Sequence, residues 1–248
     1  MNFDAQSTSF HDRGYAVFDR VLVGSLLDLL RAQCDGFVSR EDTRMEAAGT
    51  DQLGLSHRGK RYFANECQRE QPALRAMLFS SLMADVCRAT LGGDAYFFMD
   101  QYVVKGPEQG MAFSWHQDSG YVVGNGGPAD HPPYLTCWCA LDDATVENGT
   151  VRVIPGSHRG GLFAHDRQGM SADLGVAVAE EGVALAVPAG SIVAFSSLLL
   201  HATGANLSDR PRRVYLAQYT ALPLLNADGH LRRNAIAFLR GGEQVTFG

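Results

Sequence analysis

From about residue 95 onward the chain is divided into short runs of β-branched and aromatic residues, and this pattern limits the fold most strongly. Clusters of Gly, Pro and Asn separate the runs, as is typical of strands joined by turns. The runs lie at 96–104, 134–141, 150–154, 183–195 and 213–220. Short strands in this succession favour an antiparallel sandwich or barrel over alternating β and α units. We therefore predict a mainly β fold with flanking helices.

The first 94 residues have a different character. Leucines and other apolar residues from 26 to 38 recur at helical spacing, and Ser25 is a candidate N-cap for that helix. A second helix is predicted over 72–91, because proline stands at its start and a Gly-Gly pair follows its end. The segment 39–70 between them is polar and charged, and its composition predicts a surface loop.

The chain has no internal repeat and no low-complexity linker, so we expect one domain over 1–248. Its predicted parts are N-terminal helices with a covering loop (1–94), a β core (95–220) and a C-terminal tail (221–248). A hydrophobic content of 46% and a charged content of 19% are ordinary for a soluble globular protein. The net charge of −6 argues against nucleic acid or an anionic membrane as a partner. We expect a monomer or homodimer.

The cysteines and the N-terminus favour a cytoplasmic location. The five cysteines include no C-x-x-C pair, and an odd number suits a reducing compartment. The first residues contain neither a basic leader nor an apolar core, so they do not read as a signal peptide.

The segment SWHQDSGYV contains an H-x-D triplet at His116 and Asp118. With 8 His and 27 acidic residues among 248, about one H-x-[D/E] triplet is expected by chance, so its context must decide. On an extended chain, alternate side chains share a face, which would point His116 and Asp118 the same way. A third candidate ligand, His201, ends an apolar run in SSLLLHATGAN. Two imidazoles and one carboxylate on one face of iron leave open positions for oxygen chemistry.

A pair of arginines, Arg212 and Arg213, follows the third candidate ligand and leads into a predicted strand. A buried guanidinium is suited to a carboxylate, because its planar fork bonds both oxygens. Neighbouring strand residues point to opposite faces, so only one of the two arginines can reach the interior. Spacing alone does not decide which.

Three segments together resemble the phytanoyl-CoA dioxygenase family of Fe(II)/2-oxoglutarate oxygenases: WHQD, CWCALDDATVENGTVRVIPGSH and HATGANLSDRPR. The resemblance covers about 95–220 and is most specific in DDATVENGTVRVIPGSH. It implies a double-stranded β-helix, a jelly-roll or cupin-like barrel with an open mouth. It also implies Fe(II) as cofactor, 2-oxoglutarate as co-substrate and O2, with hydroxylation of an unactivated C–H bond in a small metabolite or natural-product intermediate.

The resemblance assigns residues by position. It places His116, Asp118 and His201 at the iron and Arg212 at the distal carboxylate of 2-oxoglutarate. Further members of the predicted co-substrate site are Thr203, Trp138 and Gln101. The presence of Asp118 favours hydroxylation over halogenation, because related halogenases lack that carboxylate.

Residues in loops over the barrel mouth are candidates for substrate or co-substrate contact: His57, Lys60, Arg61, Tyr121 and His131. Two other functions stay open. Two His and a carboxylate also suit a zinc-dependent hydrolase, although such an enzyme gives the downstream arginine no role. A non-catalytic barrel that binds a carboxylate metabolite is the third alternative.

Overall fold

A computed structural model of the chain describes residues 3–107, 111–167, 174–179, 181–226 and 228–246. Its α-helices lie mostly in the first third of the chain, where they pack against one side of a large sheet. Their bounds, α1 to α6, are Asp4–Arg13, Ser25–Ala47, Cys67–Glu70, Arg75–Leu78, Ser81–Thr90 and Asp118–Gly124. Short 3-10 turns occupy Pro72–Leu74 and Ser157–Gly160.

The strands begin early in the chain but are concentrated after residue 94. β1 to β8 are Tyr15–Phe18, Gln52–Leu53, Ser56–His57, Arg61–Asn65, Ala95–Lys105, Phe113–His116, Leu135–Ala140 and Val151–Val153. β9 to β16 are Asp166–Arg167, Leu174–Gly175, Val183–Ala184, Ile192–Ser196, His201–Thr203, Arg212–Thr220, Ile236–Arg240 and Glu243–Gln244.

Two antiparallel sheets form the core of the fold. The larger has the order β1-β12-β7-β14-β5-β4-β3-β2, and β15 pairs with the beginning of β5. The smaller has the order β11-β8-β13-β6. From β5 to β8, and again from β11 to β14, successive strands alternate between the two sheets, which gives the double-stranded β-helix that the sequence predicts.

The central strands of the larger sheet are buried on both faces, and β7 contributes side chains to two hydrophobic cores. Cys137 and Cys139 pack with the helices, whereas Trp138 and Ala140 point to the space between the sheets. This alternation follows from the period of two along a strand. It explains why β7 reads as a continuous apolar run rather than as alternating apolar and polar residues.

The structure corrects several details of the N-terminal prediction. Ser25 is the first residue of α2, and Gly24 stands at the N-cap without a side-chain hydrogen bond. The segment 39–70 is not one loop: α2 continues to Ala47, and β4 pairs with β5. The predicted helix over 72–91 is divided into a 3-10 turn and two α-helices, with Ser80 capping the last one through the N–H of Met83.

The C-terminal tail returns to the larger sheet. Ile236 and Ala237 of β15 pair with Phe97 and Tyr96 of β5. β4 pairs with the other end of the same long strand, from Gln101 to Lys105. The segment between β14 and β15 therefore passes close to the mouth of the barrel. Within the described part of the chain, no helix has the length and apolar character needed to cross a membrane.

Candidate metal and carboxylate site

Two facing strands and the start of a helix bring the three candidate metal ligands together. His116 ends β6, and its direct partner across the antiparallel ladder is His201 at the start of β13. Asp118 is the first residue of α6, so the prediction that it lies on a strand with His116 is wrong. The intervening Gln117 remains extended (φ −117°, ψ 136°), which still directs both side chains to the same place. Their potential ligand atoms all lie within 4.8 Å of one another.

Both imidazoles are oriented by backbone carbonyls. The Nδ1 of His116 lies 2.7 Å from the Ser114 carbonyl oxygen, and that of His201 lies 2.9 Å from the Leu199 carbonyl oxygen. Because a carbonyl only accepts, each Nδ1 carries the proton and each Nε2 presents its lone pair. Those Nε2 atoms lie 3.9 and 3.5 Å from Oδ1 of Asp118. Burial and the neighbouring His201 hold the pKa of His116 well below its usual value, which keeps it neutral.

Hydrogen bonds to the second oxygen of the Asp118 carboxylate fix its orientation. Oδ2 of Asp118 accepts hydrogen bonds from the Thr136 hydroxyl at 2.5 Å and from the Gln218 amide at 3.2 Å. The Gln218 amide also donates to the Thr136 hydroxyl at 3.0 Å. This network leaves Oδ1 facing the two histidines. Such outer contacts fix the orientation of a metal ligand.

The structure decides between the two arginines. Arg213 points outward and is held at 2.7 Å by both Asp142 and Asp35. Arg212 points between the sheets, is only 1% exposed and lies over the Trp138 ring at 5.3 Å. Its Nη2 donates to the Gly149 carbonyl at 3.3 Å, whereas Nε and Nη1 have no acceptor among the described residues. Burial lowers the pKa of Arg212 to about 10.

Two further basic residues lie close to Arg212. Nζ of Lys105 donates to the Thr203 hydroxyl at 2.7 Å and to the Gly204 carbonyl. Burial, Arg212 and Arg61 together lower the pKa of Lys105 to about 6. Arg61 is buried, bonds the Leu55 carbonyl and leaves Nη1 without an acceptor in the described chain. This cationic end of the site is suited to an anion with several oxygens.

A single cavity of about 390 Å³ connects the ligand triad with the cationic end. It is lined by the triad and Arg212, and also by Thr203, Trp138, Gln101 and Tyr121. Of the loop candidates only Tyr121 lines it; His57, Lys60, Arg61 and His131 are not in its wall. His131 instead turns its Nδ1 to the Pro132 carbonyl at 2.9 Å. Arg61 approaches from β4, where it is the partner of Lys105.

Sequence reasoning missed Lys105, Thr136 and Gln218. A local signal existed for each of them. Each is a polar residue in or next to an apolar, strand-like run, and each lies an even number of positions from a residue that points into the barrel. Thr136 is two residues before Trp138, and Gln218 is six residues after Arg212. A polar side chain buried in the inward phase of a strand needs a partner. The period of two could therefore have identified these residues.

Comparison with known proteins gives a family match over most of the chain. The family model described as phytanoyl-CoA dioxygenase (PhyH) matches residues 10–214. The L-proline trans-4-hydroxylase of Streptomyces griseoviridis is 33% identical over 150 residues, which are 52% of this chain and 56% of that protein. The ectoine dioxygenase of Halomonas elongata is 27% identical over 236 residues, covering 84% of this chain and 67% of that protein. The chain spans about half the length of the first curated relatives it matches.

Solved structures show the same fold. The crystal structure of EvdO2 from Micromonospora carbonacea var. aurantiaca, complexed with 2-oxoglutarate, superposes with a TM-score of 0.70 at 23% identity. The match covers 93% of this chain and 95% of EvdO2.

Proposed function

Because this chain belongs to the phytanoyl-CoA dioxygenase family, we propose that it is an Fe(II)- and 2-oxoglutarate-dependent oxygenase acting on a small molecule. One observation carries the proposal: a His-Asp-His triad and a buried guanidinium with open N–H groups share the same cavity. The triad supplies a metal site, and the guanidinium supplies a site for the far carboxylate of 2-oxoglutarate. A metal-binding barrel without a co-substrate would have no use for the second feature.

The donor set fits Fe(II). Two neutral imidazoles and one carboxylate are the ligands of non-haem iron oxygenases, and they leave open positions for co-substrate and O2. His116 and His201 would bind through Nε2, and Asp118 through Oδ1, since their other polar atoms are already bonded to the protein. When bound, iron with 2-oxoglutarate and O2 supplies oxidation of a substrate C–H bond, with release of succinate and CO2.

The cationic end fits the distal carboxylate of 2-oxoglutarate. Arg212 lines the cavity and offers Nε and Nη1, which are buried and have no protein acceptors among the described residues. The neighbouring Arg61 also has an Nη1 without a partner in the described chain, but it lies outside the cavity lining. A buried unpaired donor is unfavourable, so these groups indicate that a ligand completes them. Thr203 and Lys105 stand beside them and would add further donors. Trp138 supports the guanidinium from its ring face and closes the site to water.

The rest of the cavity is left for the primary substrate. Phe98, Met99 and Val122 provide apolar wall, and Tyr121 provides a polar group near it, while Gln101 stays with the proposed co-substrate site. The role of these residues is to hold one carbon close to the triad and to keep bulk water away. Hydroxylation of a small metabolite is the outcome we propose. Two relatives named above carry names for this class of reaction, acting on proline and ectoine.

The test is anaerobic titration of the apoprotein with Fe(II), followed by 2-oxoglutarate, with binding measured by calorimetry and by visible absorption. We expect 2-oxoglutarate to bind the Fe(II) protein, and His116→Ala to lose Fe(II) binding. On addition of O2, the wild type should convert 2-oxoglutarate to succinate. Tight zinc binding without binding or consumption of 2-oxoglutarate would instead favour a hydrolase. Binding of 2-oxoglutarate without consumption under any substrate screen would favour a non-catalytic carboxylate binder.

A further inference from the structure

The C-terminal tail contributes charge to the cavity as well as a strand to the sheet. A bridge between Leu225 and Leu231 folds the tail back on itself before β15 begins. Directly after that bridge, Arg232 and Arg233 enter the lining of the cavity. No motif in the sequence around Arg232 and Arg233 indicates a function for either residue.

Arg232 has only neutral hydrogen-bond partners. Its guanidinium donates to the Asn226 side-chain oxygen at 3.2 Å and to the Tyr121 carbonyl at 3.4 Å. In the described chain no carboxylate contacts it, and burial together with the neighbouring cation of Arg233 lowers its pKa. It is half-buried, so solvent screens it only in part. A cation held in this way keeps its capacity to bind an anion.

Arg233 is partly neutralised by a shared carboxylate. It lies 3.3 Å from Glu66, and the same carboxylate bonds Arg69 at 2.8 Å. One carboxylate therefore serves two arginines, while Arg232 has none. The mouth of the cavity carries an excess of positive charge on the tail side.

These arginines lie near the metal triad but apart from the cationic end that we assign to 2-oxoglutarate. Tyr121 connects Arg232 with the triad, since its carbonyl accepts from Arg232 while its ring packs on His116 at 5.5 Å. Tyr134 lines the same cavity as Asp118, Arg232 and Arg233.

Lys105 and its ladder partners Arg61 and Arg212 lie at the end of β5, whereas the tail that carries Arg232 pairs through β15 with the beginning of that strand. The cavity is therefore lined by arginines from two separate regions of the fold, Arg212 in one and Arg232 with Arg233 in the other. One region is assigned to the co-substrate, which leaves the other for the primary substrate.

We propose that Arg232, assisted by Arg233, binds an oxyanion of the primary substrate, either a carboxylate or a phosphate monoester, and so holds an apolar part of a compact molecule beside His116 and Asp118. The proposal rests on the proposed function, because it assigns the substrate to the same cavity. The apolar wall formed by Phe98, Met99 and Val122 suits the hydrocarbon part of such a molecule. A cavity of about 390 Å³ that must also hold 2-oxoglutarate leaves room beside the triad for a compact group.

The experiment uses matched probes that share a carbon skeleton and differ in charge. Hexanoate is compared with hexanamide, L-leucine with L-leucinamide, and hexyl phosphate with hexanol. Each probe is titrated calorimetrically into anaerobic protein loaded with Fe(II) and 2-oxoglutarate. We expect the anion to bind at least about tenfold more tightly than its neutral partner, the effect of one charge-assisted hydrogen bond. The carboxylate and phosphate pairs show which oxyanion is preferred.

Three variants assign the preference to the arginine. Arg232→Gln should abolish the difference within each pair, and Arg232→Glu should reverse it, so that hexylamine binds more tightly than hexanoate. Arg240→Gln is the matched control, because Arg240 lies on the same tail but is exposed and packs over Tyr96, outside the cavity. It should keep the wild-type preference. Urea midpoints of all three variants establish that they are folded.

Two failures can be told apart. If the wild type with Fe(II) does not bind 2-oxoglutarate, the proposed function is wrong, and this is seen before any probe is added. If 2-oxoglutarate binds but acid and amide bind equally, or no anion binds measurably, the substrate proposal alone is wrong. The same holds if Arg232→Glu fails to reverse the preference.

Discussion

Replacing Arg212 by Met should stabilise the apoprotein and abolish its tight binding of 2-oxoglutarate. The guanidinium is fully buried, has one hydrogen bond to Gly149 and is opposed by no contacting carboxylate in the described chain. Burial lowers its pKa from 12.5 to about 10, so the guanidinium stays protonated at neutral pH, but its charge is less favourable in the folded state than in the unfolded state. A pKa difference of this size means that the buried charge destabilises the folded state by about 3 kcal/mol, and replacement by Met removes this cost. Loss of the Gly149 hydrogen bond and of the Trp138 contact lowers the free energy of unfolding by about 2 kcal/mol.

The net gain is therefore about 1 kcal/mol, or a rise in Tm of about 2 to 4 °C for a chain of this size. Binding should change in the opposite sense. The variant lacks two charge-assisted donors, and each contributes about 1.5 to 3 kcal/mol to the free energy of 2-oxoglutarate binding. The Kd of 2-oxoglutarate should therefore rise roughly 100- to 10,000-fold. Urea unfolding of the metal-loaded protein, with and without 2-oxoglutarate, measures both effects. At one hundred times its Kd, 2-oxoglutarate should stabilise the wild type by about 2.7 kcal/mol.

The neighbouring residue provides a matched control. Arg213→Met removes an arginine that bonds Asp142 and Asp35 outside the cavity, so it should lower stability and leave the affinity for 2-oxoglutarate unchanged. The reasoning is refuted if Arg212→Met is less stable than the wild type without 2-oxoglutarate. It is equally refuted if that variant keeps the 2-oxoglutarate-dependent stabilisation.

Three more predictions concern the surroundings of the site. Gln218→Leu removes a donor to Asp118 and should weaken Fe(II) binding by about 10- to 100-fold, measured by anaerobic titration; wild-type affinity would contradict the positioning role. Burial lowers the pKa of Lys105 to about 6, so its amine is largely neutral at pH 7.5 in the apoprotein. An incoming carboxylate favours the ammonium, so binding should take up a proton and the affinity for 2-oxoglutarate should fall as pH rises above 6. Calorimetry in buffers of different ionisation enthalpy detects this proton, and Lys105→Met should lose it. Gly149→Ala should lower the free energy of unfolding by at least about 1 kcal/mol, because φ at Gly149 is +78° and a Cβ there would lie 2.3 Å from the Gly204 carbonyl oxygen. Urea unfolding measures this effect, and an unchanged midpoint would show that the added methyl group is accommodated.

The sequence predicted the β core because its signals are local. Each run of β-branched residues bounded by turn residues predicts a strand without reference to any other part of the chain. The same holds for the start of α2 and for the proline that opens the region after residue 71. The length of α2 was underestimated, because its polar continuation to Ala47 is stabilised by packing that composition does not show.

The site residues likewise fall into those that local sequence signals predict and those that only the structure identifies. His116, Asp118 and His201 were selected by residue type, spacing and family resemblance, and the structure brings them together. The choice of Arg212 over Arg213 was left open by spacing, since it depends on which face of β14 meets the smaller sheet.

The sequence by itself determined the strand pattern, the metal-ligand types and the family to which the chain belongs. Only the tertiary structure decided what surrounds them. Lys105 reaches Thr203, Gln218 reaches Asp118, and the tail carries Arg232 to the cavity. Contacts of this kind join residues that are about 100 positions apart. Their formation depends on strand pairing and on the burial of charge, and neither is encoded in the local pattern around a residue.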